Sequence, residues 1–157
     1  MIKLGIVADS HGRDIYLERF AAVCRKEGYD AVIHLGDVRE DARWLERNLE
    51  TAVVSVAGNC DMFSSHPREA RLSYEGHSIL AVHGDAQGVK YGYERLSYYA
   101  EEIGAEIALF GHTHQAFADY VGSIMLVNPG ALWDGCYGEL LLDGRRVIPS
   151  LNNLRGR

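Results

Sequence analysis

Short apolar runs and amphipathic stretches alternate over the first sixty residues of the chain. Three runs are apolar at nearly every position, as central strands of a parallel sheet are: residues 2–8, 31–35 and 51–56. The stretches between them carry apolar side chains at helical spacing: residues 14–26, followed by Gly28, and a second helix with Val38, Ala42, Leu45 and Leu49 on one face. This alternation predicts parallel strands joined by right-handed helical crossovers.

The pattern changes after residue 61. Ser64, Ser65 and Pro67 indicate a loop, and the segments after it predict a hairpin, a third helix and a strand: 69–75 with 77–82, then 91–103, then 106–110. The last part is rich in predicted strands: 115–121, 124–127, 137–142 and 145–149, with an Asp143-Gly144 turn joining the final two. The polar residues 150–157 are expected to be a frayed tail. We expect one α/β domain over residues 1–157, with two sheets packed face to face and helices outside.

The composition of the chain argues against several classes of protein. A chain of 157 residues with 47% apolar and 24% charged residues can build a core, which argues against disorder. Its net charge of −6 argues against a protein that binds nucleic-acid duplexes or membrane surfaces through a basic face. The apolar run at the N-terminus is too short for a signal peptide, and no run is long enough to span a membrane. The three widely spaced cysteines indicate a reduced, cytoplasmic protein.

Each apolar strand in the first two-thirds of the chain ends in side chains that can hold a metal ion. These strand ends are Asp9-Ser10-His11, Gly36-Asp37, Gly58-Asn59-Cys60-Asp61, His83-Gly84-Asp85 and Gly111-His112-Thr113-His114. In open parallel sheets the functional site lies at the carboxyl ends of the strands, so we expect these groups to meet. In extended backbone, the imidazoles of His112 and His114 would point the same way and could share one target.

Seven of these side chains form the candidate ligand set: Asp9, His11, Asp37, Asn59, His83, His112 and His114. Two carboxylates, four imidazoles and one amide oxygen exceed the needs of one ion and suit two ions that share a carboxylate. This set of oxygen and nitrogen donors favours manganese, iron, cobalt, nickel or zinc over calcium. Two divalent ions, two carboxylates and one bridging hydroxide sum to a charge of about +1, which attracts phosphate.

The chemistry expected of such a set is attack of a metal-bridging hydroxide on a phosphate ester. A protein nucleophile is not expected, because nothing near Ser10 in the sequence supplies the oriented base that serine catalysis requires. The chain lacks Walker A, GxGxxG and HExxH motifs, the commonest signatures of nucleotide switches, dinucleotide enzymes and zincins. Of the remaining histidines, His34 is expected in the core and His77 in a hairpin.

With its five clusters in this order and spacing, the chain resembles the calcineurin-type metallophosphoesterase superfamily from residue 4 to about residue 130. Its short length and Cys60 resemble the small bacterial and archaeal phosphodiesterases of the YfcE-like type. The resemblance implies a two-sheet sandwich flanked by helices, and two divalent ions, with manganese the first choice. It implies one ion held by Asp9, His11, Asp37 and His114, and a second held by Asp37, Asn59, His83 and His112. Asp37 would bridge the two ions.

The resemblance also implies catalytic roles, for Asp37, for Asn59 as a contact to the substrate phosphate, and for Cys60. Many family members have histidine at the position of Cys60, and a thiol is a poorer acid at neutral pH. We therefore expect a preference for leaving groups that need little protonation. Three further residues are candidates for supporting the site or meeting the substrate: Asp61, Asp85 and Arg13.

Two functions follow from this sequence. The first is a dimetal phosphodiesterase acting on small or nucleotide-like phosphodiesters, with homo-oligomerisation left open. The alternative is a non-catalytic or weakly catalytic scaffold, because the resemblance extends to retromer-type subunits that use this sandwich to bind proteins. All seven candidate ligand positions hold competent side chains, which favours the enzyme.

Overall fold

A computed structural model describes residues 1–11, 14–37, 39–61 and 67–155 of the chain. The first sheet has the strand order β10-β9-β1-β2-β3. Its strands are β1 (Ile2–Val7), β2 (Ala31–His34), β3 (Ala52–Ser55), β9 (Cys136–Asp143) and β10 (Arg146–Asn153). The second sheet has the order β4-β5-β6-β8-β7. Its strands are β4 (Glu69–Tyr74), β5 (His77–Val82), β6 (Ile107–Leu109), β7 (Phe117–Val121) and β8 (Ile124–Asn128).

Both sheets are mixed, with parallel strands at their centres. β1, β2 and β3 pair in parallel, as do β5, β6 and β8. The antiparallel strands β9 and β10 extend the first sheet beyond β1, and β4 and β7 form the two edges of the second. Because these central strands are parallel, the carboxyl ends of β1, β2, β5 and β6 lie together. The predicted ligand clusters directly follow these strand ends in the chain.

The two sheets pack face to face and bury a shared core. Leu4, Ile6 and Ile33 from the first sheet pack in one buried cluster with Ile79 and Leu109 from the second. Successive strand residues point to opposite faces, so the alternate positions of each sheet face outward. These outward positions are also apolar because helices cover them, which explains the continuous apolar runs in the sequence.

Three helices cover the outer faces of the sandwich. They are α1 (Asp14–Glu27), α2 (Arg39–Asn48) and α3 (Glu94–Glu102). Phe20 of α1 and Leu45 of α2 pack in one cluster with Val32 of the first sheet, and Leu96 of α3 packs with Leu126 of the second. The predicted single-domain arrangement of two sheets flanked by helices is confirmed. No described helix is both long and apolar enough to cross a membrane.

Two predictions of local structure are wrong. The C-terminal segment is not frayed from residue 150, because β10 runs to Asn153 and pairs with β9 in register, Ser150 opposite Glu139. The buried Leu154 then donates its N–H to the carbonyl of Gly135 at 2.7 Å. Polar side chains are compatible with such an edge strand, whose backbone is paired on one side and open to solvent on the other.

The third helix begins later than predicted. α3 starts at Glu94 rather than at residue 91, because Gly92 takes a φ of 152° that a helix cannot contain. The tyrosine at position 91 is consequently 97% exposed. Four residues named in the sequence analysis, Arg13, Val38, Ser64 and Ser65, lie outside the described residues.

Candidate metal centre

The first predicted set of ligands lies together at the carboxyl edge of the sheets. Asp9, His11, Asp37 and His114 each offer one ligand atom, and these four atoms lie within 4.8 Å of one another. The Nε2 atom of His114 is 3.5 Å from Oδ1 of Asp9, and Nε2 of His11 is 3.9 Å from Oδ2 of Asp37. Two atoms bound to one ion at ~2.1 Å lie roughly 3 to 4 Å apart, so this spacing suits a single ion.

The second predicted set surrounds the Nε2 atom of His83. That atom lies 2.9 Å from Oδ1 of Asn59, 3.1 Å from Nδ1 of His112 and 3.6 Å from Oδ1 of Asp37. Its other ring nitrogen, Nδ1, lies 2.8 Å from the carbonyl oxygen of Leu35. A carbonyl can only accept a hydrogen bond, so the proton of the neutral ring is on Nδ1 and Nε2 presents a lone pair.

In the neutral form of His83, the contact with Asn59 therefore brings two lone pairs together. A carboxylate oxygen of Asp37 adds a third electron-rich atom to the same group. Such atoms repel one another in the absence of a proton or a cation, and an imidazole oriented by a backbone carbonyl is the usual form of a metal-ligating histidine. The donor set of this group therefore fits a cation.

Asp9 provides an independent test of whether the site suits a cation. Its side chain is fully buried, and its Oδ2 accepts a hydrogen bond from the His112 N–H at 3.0 Å. Its Oδ1 has no hydrogen-bond partner among the described residues. Burial, and then the neighbouring carboxylate of Asp37, raise the pKa of Asp9 to about 8. A buried carboxylate oxygen without a donor is costly, and a bound cation would remove that cost.

The charges of the surrounding groups also suit a cation. Burial acts to raise the pKa of Asp37, but His83 and the Cys60 N–H outweigh it and hold that pKa below its ordinary range. Burial, followed by the neighbouring imidazoles, lowers the pKa of His112 and of His114. The two histidines therefore stay neutral, which is the form that binds a metal.

The backbone at this site is strained. Five of the candidate ligands have positive φ angles between 51° and 71°: Asp9, His11, Asp37, His112 and His114. Among the described residues only one other non-glycine residue, Glu75, has a positive φ. Such conformations cost about 1–3 kcal/mol each and concentrate at functional sites, where the surrounding structure enforces them.

The extended backbone predicted for His112 and His114 is therefore wrong. Both residues are left-handed, with φ angles of 71° and 63°. Their imidazoles do not share one target: His112 contacts His83, whereas His114 lies beside Asp9 and His11. The left-handed turns separate the side chains so that one loop contributes to both ligand groups.

Glycines let the ligand loops approach one another closely. A Cβ atom on Gly36 would lie 2.8 Å from Nδ1 of His83 and 2.9 Å from the backbone nitrogen of Gly58. A Cβ atom on Gly111 would lie 2.7 Å from the Ala8 side chain and 2.9 Å from Oδ2 of Asp9. Any larger residue at Gly36 or Gly111 would push the ligands apart.

The loop after β3 is held in place by Asp61. Its carboxylate accepts a hydrogen bond from the Gly58 N–H at 2.9 Å, and its own N–H donates to the Gly58 carbonyl at 3.0 Å. The N–H of Cys60 donates to Oδ1 of Asp37 at 3.0 Å, and the thiol is exposed. Partial desolvation, and then the Asp37 carboxylate, raise the pKa of this thiol, so it stays protonated at neutral pH.

Of the other two candidate supporting residues, Asp85 pairs with Arg68 at 2.6 Å. Arg13 lies outside the described residues. The roles of Asp61, Asp85, Arg13 and Cys60 stay predictions.

A histidine lies beside Ser10, but it does not supply the base that serine catalysis requires. His34 is buried as predicted, and its Nε2 is 3.1 Å from the Ser10 hydroxyl. Its Nδ1 accepts a hydrogen bond from the Gly36 N–H at 3.3 Å, so the proton of the neutral ring is on Nε2 and is donated to Ser10. Burial lowers the pKa of His34 to about 4. This imidazole supports the loop and is not oriented to take a proton from Ser10.

Two residues near the ligands were not singled out from the sequence. Asn128, at the end of β8, is fully buried and donates through Nδ2 to the Gly111 carbonyl at 3.2 Å and to the Thr113 hydroxyl at 3.0 Å. It thereby anchors the loop that carries both histidines. Trp133 is 39% exposed, and its ring packs edge-on against His114 with 6.3 Å between centroids. The Asn-Pro-Gly run after an apolar strand was the signal available for Asn128.

Comparisons with known proteins agree with this geometry. The profile of the Calcineurin-like phosphoesterase superfamily domain matches residues 2–139. The chain is 35% identical over 127 residues to the probable metallophosphoesterase YsnB of Bacillus subtilis, covering 81% of this chain and 73% of that protein. It is 28% identical to the phosphodiesterase YfcE of Escherichia coli K12, covering 84% and 80%.

Solved structures share the fold. A predicted phosphoesterase from Streptococcus pneumoniae superposes with a TM-score of 0.81 at 25% identity, covering 97% of this chain and 89% of that one. Vacuolar Protein Sorting 29 of Cryptosporidium parvum also superposes with a TM-score of 0.81, at 16% identity, covering 99% and 92%. At that identity the second likeness concerns the fold alone.

Proposed function

Because the chain belongs to the calcineurin-like phosphoesterase superfamily, we propose that it is a dimetal phosphodiesterase that hydrolyses small phosphodiesters. Asp9, His11, Asp37 and His114 would hold one divalent ion, and Asp37, Asn59, His83 and His112 the other. The observation that carries this proposal is the meeting of ligand nitrogen and oxygen atoms around Nε2 of His83, next to a buried oxygen of Asp9 that has no donor among the described residues. Manganese is the first choice of metal, with iron, zinc, nickel and cobalt as the other candidates.

A pair of divalent ions at this site would acidify a water molecule, bind phosphoryl oxygens and offset the charge that develops during in-line displacement. The residues of the chain orient the ligands and the substrate. The Leu35 carbonyl directs the lone pair of His83 inward, and the His112 N–H holds Asp9. With Oδ1 of Asn59 facing His83, its Nδ2 is left to donate a hydrogen bond to the phosphate.

A diester is favoured over a monoester by the named activity of the YfcE relative, a phosphodiesterase. The thiol at position 60 bears on the leaving group instead, because its raised pKa leaves it a weak acid, suited to leaving groups that depart as stable oxyanions. Asp37, Asn59 and Cys60 are thus the proposed catalytic residues.

The scaffold alternative shares the fold, so metal binding alone would not separate the two functions. Turnover does separate them. Purified protein is assayed with bis(p-nitrophenyl) phosphate and manganese, with and without a chelator. We expect chelator-sensitive release of nitrophenolate.

Asp37→Asn supplies the matched test, because it removes the charge of the shared ligand while keeping its shape. We expect its turnover to fall by at least about a hundredfold. Asp143→Asn is the control, since it makes the same change at an exposed turn that accepts Asn-Gly equally well. A metal-replete protein that hydrolyses neither bis(p-nitrophenyl) phosphate nor any of a panel of nucleotide diesters would favour the scaffold.

A further inference from the structure

A cavity of about 430 Å³ opens beside the loop that carries His112 and His114. Its described lining residues are Val89, Lys90, Gly92, Tyr93, Thr113 and Gln115. Thr113 lies between the two histidines in the chain, so the cavity adjoins the candidate metal centre. None of the other lining residues belongs to the ligand set.

One wall of the cavity is aromatic and preformed. The ring of Tyr93 packs edge-on against Phe110 and Phe117, with centroid distances of 5.1 Å and 4.8 Å. Val89 is 2% exposed and is part of the same apolar cluster. Because this packing holds Tyr93 in place, the wall does not have to be ordered when a ligand binds.

The polar side of the cavity can donate hydrogen bonds. The Thr113 hydroxyl oxygen accepts one from Asn128 Nδ2 at 3.0 Å and one from the Gln115 N–H at 3.1 Å. Both of its acceptor positions are used, so its own proton is left for a further acceptor. Gln115 adds an amide side chain to this side.

The single charge among the described lining residues is positive. Lys90 is exposed, and it forms no ion pair with any residue that the structure describes. Of the two acidic residues nearest to it in the chain, Asp85 is already paired with Arg68 at 2.6 Å, and Glu94 has its carboxylate beside Gly92.

We propose that this cavity holds one ester group of the substrate and that Lys90 selects ester groups that carry a second anion. This inference rests on the proposed phosphodiesterase function and names its substrate class: phosphodiesters with a further negative group beyond the scissile phosphate. Tyr93 supplies the surface against which the organic part of the ester lies, and Lys90 pairs with the second anion.

Two symmetric probes test this selection. Bis(4-carboxyphenyl) phosphate carries a carboxylate on each ester group, so whichever group enters the cavity presents an anion. Bis(4-carbamoylphenyl) phosphate has nearly the same shape and no such charge. For each variant, kcat/KM on each probe is divided by the wild-type value, which cancels the difference between the two leaving groups.

We expect Lys90→Met to lower kcat/KM on the carboxylate probe by about fivefold relative to the amide probe. Lys90→Arg should restore the charge and the selectivity. Lys26→Met, which removes an exposed lysine from the far end of α1, is the control and should change neither value. Added salt should weaken the wild-type selectivity, because it screens exposed charges.

The outcomes separate the two proposals. If Lys90→Met affects both probes equally or neither, or if wild type hydrolyses bis(p-nitrophenyl) phosphate but neither probe, the role of Lys90 is refuted while the phosphodiesterase stands. If metal-replete wild type hydrolyses none of the three esters, the proposed function itself fails.

Discussion

Replacing Asp9 with asparagine is expected to stabilise the metal-free protein at neutral pH and to weaken its stabilisation by metal. The Asp9 carboxylate is fully buried, and its Oδ1 finds no hydrogen-bond donor among the described residues. Burial and the adjacent Asp37 raise its pKa from an ordinary 3.8 to about 8. Asparagine is uncharged, has nearly the same shape and tolerates the φ of 53° found at this position.

The sign of the pH dependence follows from the raised pKa. Between pH 4 and pH 8 the folded, metal-free protein keeps a proton on Asp9 that the unfolded chain has released. The free energy of unfolding therefore decreases as the pH rises through this window. Between the ordinary pKa of 3.8 and pH 7, the raised pKa of Asp9 lowers the free energy of unfolding by about 4 kcal/mol. Relaxation of the structure around the charge reduces this loss, so we expect about 2–4 kcal/mol.

Urea unfolding of chelator-treated protein at pH 5 and pH 7 measures this effect. These two pH units correspond to at most about 2.7 kcal/mol, so the difference in unfolding free energy between Asp9→Asn and wild type should grow by about 1–3 kcal/mol from the lower to the higher pH. Manganese should then stabilise wild type at pH 7 more than Asp9→Asn, which retains only the ligands of the second ion. Equal pH dependence in the two proteins, or a variant less stable than wild type at pH 7, would refute the reasoning.

Three further substitutions test separate parts of the account. His77 has both ring nitrogens next to acceptors, the Gly144 carbonyl at 2.6 Å and the Glu106 carboxylate at 3.1 Å, and these raise its pKa. The stabilisation that protonated His77 provides should be complete below the ordinary histidine pKa and should be lost as the pH rises through its raised pKa in the folded protein. His77→Gln should abolish this pH dependence of the melting temperature between pH 5.5 and 8.5. Asn128→Ala should weaken manganese binding by about tenfold or more by freeing the histidine loop, measured by titration, and unchanged affinity would exclude an anchoring role. Cys60→His should raise turnover of diesters with poor leaving groups at unchanged metal content, and a loss of activity with full metal content would contradict the proposed role of that position.

The order of the elements and the edge that carries the ligands could be predicted from the sequence. Buried parallel strands leave continuous apolar runs, and each run ends abruptly at a polar cluster such as Gly36-Asp37. Since parallel strands share one carboxyl edge, convergence of those clusters followed from topology alone. The helices outside the sheets followed from the 3.6-residue spacing between the runs.

Backbone detail at the ligands could not be predicted. His112 and His114 are left-handed although neither is glycine, and tertiary contacts of the loop, among them those to Asn128 and Asp9, hold this conformation. The strand pairing that carries the C-terminal residues to Asn153 was also hidden, because backbone hydrogen bonds to β9 leave no apolar pattern on an open edge.

The central claim is that side chains from five separate loops bind two cations that share Asp37. Crystals of the protein grown with manganese, and measured at the manganese absorption edge, test it directly. We expect two anomalous peaks, one among Asp9, His11, Asp37 and His114, and one among Asp37, Asn59, His83 and His112. A fully occupied crystal with a single peak, or with peaks away from these side chains, would contradict the claim.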